Sequence, residues 1–230
     1  MTANQDVLTQ TARPAPAGVK LTGWALVLAP LLIVTGEVLH PQRSAVPARQ
    51  LAIVAQHPGA WYASHLLLFT GIVLTLPAVA GLVYLLGGRA RKLAAVGAGL
   101  AVTGIACFAG LLTIGFVVWQ MASQDADRGQ MAALFSRLFH APGFIIPFQA
   151  VPLTFAAGMV ILAIALDRTA VAPHWVTLSL GAGAVGLSLV GIVPGAAYAV
   201  AVSVILAVGM TSTGKIILAG PAPVASSARR

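Results

Sequence analysis

From Leu21 to Ile217 the chain alternates long apolar runs with short polar connections. The runs are Leu21–His40, Trp61–Leu86, Leu93–Gln120, Pro142–Leu166, Trp175–Val193 and Gly195–Ile217. A hydrocarbon core about 30 Å thick is crossed by about 20 residues of α-helix. Inside lipid the backbone finds no water to bond to, so runs of this kind must be helical. The last two are divided by "GIVPGAAY", in which Gly191, Pro194 and Gly195 supply turn chemistry. The pattern predicts an all-α bundle of six transmembrane helices over residues 21–219. Polar tails at 1–20 and 220–230 are expected to be disordered and cytosolic. The first run is too long for a signal-peptide core and no small-x-small site follows it, so it reads as a retained span.

Two connections on one side of the bundle carry patterns of their own. Residues 44–57 (SAVPARQLAIVAQH) read as a short helix. In residues 130–139 (QMAALFSRLF), Met131, Leu134, Phe135, Leu138 and Phe139 follow the i, i+3, i+4, i+7, i+8 spacing of an amphipathic helix. Such helices rest on the outer leaflet or pack on the bundle, and either way they cover its outer end. Ala106 with Gly110, and Ala182 with Gly186, are small-xxx-small pairs of the kind that let helix backbones approach.

Composition agrees with the pattern. Of the residues, 59% are hydrophobic and 8% charged, with a mean hydropathy of +0.94, whereas soluble domains carry about 25% charged residues. The net charge of +8 is spread over connections between apolar runs. It therefore reads as topological charge and argues against a nucleic-acid partner. With both termini inside, nine of the thirteen Lys and Arg residues lie on the inner side, including the "GGRARK" connection. Only Arg43, Arg49, Arg128 and Arg137 lie outside. This bias predicts cytoplasmic termini and a multi-pass protein of the cell inner (plasma) membrane. The lone Cys107 forms no internal disulfide and reads as core.

That topology gathers unusual residues at the outer end. Glu37 and His40 stand one turn apart at the end of the first span, His65 one turn inside the second, and His140 at the start of the fourth. A carboxylate within a span is costly and has a partner. One expectation is a polar clasp, Glu37 paired with His40 or an outer-loop arginine. The other is a metal centre of Glu37, His40, His65 and His140 holding zinc, copper or iron, since Glu-x-x-His with ligands from neighbouring helices suits such ions. A related expectation is haem b between His65 and His140, with Arg137 or Arg43 meeting the propionates. The corresponding functions are a redox or accessory subunit, or a structural subunit of a membrane complex. Span four suggests transport instead, because "PGFIIPFQAVPL" spaces Pro142, Pro147 and Pro152 around Gln149, and broken helices build substrate sites. Ser64 and His65, adjacent on a helix, do not make a nucleophile and its base.

The "VLHP" that ends span one, the "VAQHPGAW" stretch and "WYASHLLLFTGIVLTLPAVAGL" in span two resemble a broad group of multi-pass membrane proteins of high-GC bacteria. The resemblance covers the first ninety residues. It implies an integral membrane protein and draws attention to His40 and His65, and it implies no particular substrate.

Overall fold

In this computed structural model, residues 17–123, 125–150, 153–193 and 195–220 are described, 149 and 150 by their backbone alone. Every regular element among them is helical. In chain order these are α1 (Ala17–Leu39), α2 (Pro47–Gln56), α3 (Pro58–Leu86), α4 (Arg91–Met121), α5 (Arg128–His140), α6 (Pro142–Ile145), a π-helical turn (Ile146–Ala150), α7 (Leu153–Arg168), α8 (His174–Ser188) and α9 (Ala196–Ala219). Pro47, Pro58 and Pro142 each open a helix, where a missing N–H costs nothing and a fixed φ helps. α3 ends on Gly87 in the left-handed region (φ 53), which Gly adopts without penalty. The expected tail over 1–20 is shortened, since α1 begins at Ala17. Residues 1–16 and 221–230, and with them most of both expected tails, lie outside the described residues.

Among the described residues five helices are long and apolar enough to cross a membrane: α1, α3, α4, the broken helix Pro142–Arg168, and α9. The run Trp175–Val193 was expected to make a sixth. It ends at Ser188, giving a helix of 15 residues that rises only about 22 Å. Residues 189–192 turn away toward Gly195. The outward surface fits a lipid bilayer, with Leu28, Leu31, Val102, Val117, Leu178 and Val208 all exposed.

The six long elements pack in chain order as a closed ring. α1 lies on α3, α3 on α4, α4 on α7, α7 on α8, α8 on α9, and α9 returns to α1. Leu26, Ile33, Leu82, Ile105, Phe155, Met159, Leu180 and Leu206 fill its centre. Glycines set the closest approaches. A Cβ on Gly158 of α7 would run into the Ala101 backbone of α4, and one on Gly104 into that of Phe155. Of the small-residue pairs read from the sequence, Gly110 faces Phe148 and Gly186 faces Val202, both within this chain. Ala106 and Ala182 are exposed.

α2 and α5 close one end of the ring. Leu51 and Val54 of α2 meet Phe135 of α5 in a second cluster with Trp61, Val118 and Met121. Asp127 caps α5 by accepting from the Gln130 N–H at 3.0 Å. The apolar face of α5 is divided. Phe135 is buried and Met131 and Phe139 pack beside it, whereas Leu134 turns outward.

Candidate functional site

The covered end of the ring contains a polar collar, and local sequence explains each part of it. Pro41 disfavours a helical conformation at the residue before it, and α1 ends at Leu39, leaving His40 in an irregular connection. That connection doubles back, so that Arg43 Nη2 donates to Glu37 Oε2 at 2.8 Å; Glu37 is only 5% exposed. Further along, the Ser44 N–H donates to Gln50 Oε1 at 2.6 Å. This bond fixes which end of the Gln50 amide is the oxygen. The amide nitrogen, Nε2, is then buried without a partner, on a side chain that is 5% exposed overall. The Ser188 hydroxyl at the end of α8 is likewise buried and unpartnered.

α3 supplies the other half. Trp61 donates through Nε1 to the Gly115 carbonyl of α4 at 2.7 Å. The His65 ring lies against Gly115 so closely that any side chain there would collide with it. The rings of His40, Trp61 and His65 form one cluster, with centroids 5.0 Å (His40–Trp61), 5.1 Å (His40–His65) and 4.3 Å (Trp61–His65) apart. Each imidazole donates from Nδ1 to a carbonyl: His40 to Pro41 at 2.6 Å, and His65 to Trp61 at 2.9 Å. A neutral imidazole held in that way keeps its lone pair on Nε2. His40, one residue beyond α1, is held well below its ordinary 6.5, at about 3, by burial first and then by Arg43 and His65. It is therefore neutral at physiological pH. Ser64 donates to the same Trp61 carbonyl at 2.9 Å and lies 3.5 Å from His65 Nδ1, a nitrogen that is itself protonated toward that carbonyl and so is no base for the hydroxyl.

Under the collar lies a cavity of about 490 Å³, within the range of small-molecule sites. Its polar part includes Glu37, His40, Arg43, Gln50, Trp61, His65, His140 and Ser188. Ile33, Leu68, Ile72, Phe108 and Leu112 line the rest. Phe144 and Phe148, from the broken helix, complete the wall. Pro147 falls in the π-turn; Pro152 and the Gln149 side chain lie outside the described residues. The hydroxyls of Thr35, Thr75, Thr103 and Ser179 are donated to carbonyls four residues back in their own helices. They therefore lay no polar path through the ring.

The expected ligand set is gathered only in part. His40 and His65 meet, but Glu37 is engaged by Arg43. His140 lines the same cavity from the last residue of α5, exposed, with Nδ1 donating to the Ser136 carbonyl at 2.7 Å. It thus belongs to the cover and not to a span, and α1 makes no contact with the fourth span among the described residues. Among those residues no group of three or more His, Cys, Asp or Glu comes together to hold a metal ion. Arg137 is exposed and does not line the cavity. Gln50, Trp61, Gly115 and Ser188 escaped the sequence reading, because a buried amide, an indole, a glycine and a hydroxyl carry no spacing signature.

A second polar junction ties α7 to α8 at the opposite end. Asp167 Oδ1 accepts from His174 Nδ1 at 2.7 Å and from Thr177 Oγ1 at 3.0 Å. The bond leaves His174 tied to the end of α7. Comparison with models of protein families, with curated proteins and with solved structures finds no match.

Proposed function

We propose that this protein is a membrane-embedded binding protein, with a site at the outer end of the helix ring that takes a small, largely apolar molecule. One observation carries the reading: an apolar cavity of about 490 Å³ with a polar rim that includes His40, His65 and Gln50, the last with a partnerless amide nitrogen. A buried donor with no acceptor costs about 1–3 kcal/mol, and a ligand oxygen that the Gln50 side chain turned to meet would remove that cost. The reading includes six crossings, with α8 as a shortened sixth, both termini in the cytoplasm of a bacterial cell and the collar facing out. It is closest to the transport function expected from span four.

The test is thermal. A ligand present at one hundred times its dissociation constant stabilises by about 2.7 kcal/mol. Purified protein melted with a panel of small amphiphiles is expected to respond to those that fill the cavity. Leu112→Trp, which places an indole in the space, should abolish the response. A panel with no effect on the wild-type protein defeats the proposal.

A transition metal such as zinc, copper or iron is a second reading, favoured by one observation. The His40 and His65 ring centroids stand 5.1 Å apart with both Nδ1 atoms tied to carbonyls, and such bonds fix and orient imidazole ligands. His140, on the same cavity, would be a third ligand, and Glu37 would have to leave Arg43 to become a fourth. Haem b between His65 and His140 is the larger form of this reading, and would make the protein a redox or accessory subunit. Elemental analysis and a visible spectrum of the purified protein separate both from the organic ligand.

A further inference from the structure

We propose that the molecule taken by the outer cavity is an uncharged single-chain amphiphile, with a hydroxyl or ester head under the collar and an alkyl chain running down between α1, α3 and α4. This rests on the binding reading above and adds the class of ligand. The charge argument comes first. Glu37 and Arg43 are paired with each other at 2.8 Å, so the collar offers a ligand no free ion of either sign. A carboxylate head would be buried beside Glu37, and an ammonium head beside Arg43, and a buried charge without its own partner is strongly disfavoured.

What the collar does offer is neutral and mixed. Gln50 Nε2 and Ser188 Oγ have no partner and are closed off as the side chains stand, so each meets a ligand by turning toward the cavity that both residues line. The Nε2 atoms of His40 and His65 are acceptors, because their Nδ1 protons are given to Pro41 and Trp61. An ester carbonyl or hydroxyl oxygen satisfies the amide, and a hydroxyl proton satisfies an imidazole. Below the rim the polar groups stop. Ile72 lies seven residues down α3 from His65, about 10 Å of helix rise, and Ile33 and Phe108 bound the cavity at comparable positions on α1 and α4. A slot of that length, walled by aliphatic and phenyl groups, matches an alkyl chain.

Trp61 lines the cavity and so reports directly on its contents. The other tryptophans, Trp24, Trp119 and Trp175, are replaced by Phe, and the protein is placed in phospholipid nanodiscs. Brominated monoacylglycerol, the corresponding brominated fatty acid at a pH where it is ionised, a brominated alkylammonium and a brominated alkane are then titrated as contact quenchers of Trp61. The monoacylglycerol is expected to quench saturably, to be displaced by its unbrominated form, and to reach half-saturation at about one-tenth the concentration needed by either charged probe, the ratio set by roughly one good hydrogen bond. Gln50→Leu should weaken the monoacylglycerol about tenfold and leave the alkane unchanged, and Ser188→Ala should act in the same direction. Gln50→Leu also loses the bond to Ser44, so if that variant melts early the wild-type ranking of probes decides alone. Charged probes that quench as well as the neutral one would overturn the head-group assignment while leaving the cavity as a binding site. Absence of saturable quenching by all four would overturn the binding reading itself.

Discussion

Glu37 occupies a position where an ionised side chain is tolerated only with a partner, and Arg43 is that partner. Removing one member of such a pair is worse than removing both, since the survivor stays buried and charged. Arg43→Ala is expected to cost about 2–3 kcal/mol, somewhat below the range for fully buried pairs, because the arginine side chain is 36% exposed. Adding Glu37→Gln to Arg43→Ala should recover most of the loss, measured as the melting temperature of the purified protein. A double variant no better than Arg43→Ala alone would mean the pair does not act as a clasp. The carboxylate was legible from its place at the end of an apolar run. Its partner was legible only as one of several outer arginines, because Arg43 reaches back through an irregular connection that follows no periodic rule. Gln50 was not legible at all: its meaning depends on the Ser44 N–H that fixes its amide and on the cavity in front of it.

At the scale of elements, the ring depends on two helices touching through backbone. Gly158 meets Ala101 and Gly97 with no room for a Cβ, while Gly99, on the same stretch of α4, has open space around it. Gly158→Leu is therefore expected to destabilise by about 3 kcal/mol through overpacking. Gly99→Leu should be neutral or slightly stabilising, since Gly costs a helix up to about 1 kcal/mol against better helix formers. Melting temperatures of the two variants side by side check this, and equal losses would show that the seam is not where the glycines put it. Helix positions were readable from apolar runs because lipid and core demand the same residues. The end of α8 was not, since the apolar residues 189–193 look alike to hydropathy whether they continue a helix or turn. The division of the α5 face was hidden for a similar reason: Leu134 and Phe135 both fit the stripe, and only the position of α2 decides which one is buried.

For the whole molecule, the orientation across the bilayer decides what the collar can meet. Arg89, Arg91 and Lys92 sit at the α3–α4 connection, and the collar with α2 and α5 sits at the other end of those helices. If the positive connection faces the cytoplasm, the cavity opens toward the outer leaflet and draws its ligand from there. If it faces out, the same cavity draws from the inner leaflet, and every proposed encounter changes side. Two single cysteines in a Cys107→Ser background distinguish these cases. One replaces Ala90, within the charged connection, and the other Ser123, just beyond α4 at the collar end. A membrane-impermeant thiol reagent added to intact cells should label Ser123→Cys and leave Ala90→Cys unlabelled until the cells are opened. Ala90 also has a left-handed backbone (φ 51), which a cysteine adopts no better than alanine, so the labelling is read only after both variants are shown to reach the membrane at wild-type levels. Labelling of Ala90→Cys but not Ser123→Cys in intact cells would invert the molecule. The ring, the clasp and the cavity would stand unchanged, and the source of the ligand would move to the cytoplasmic side.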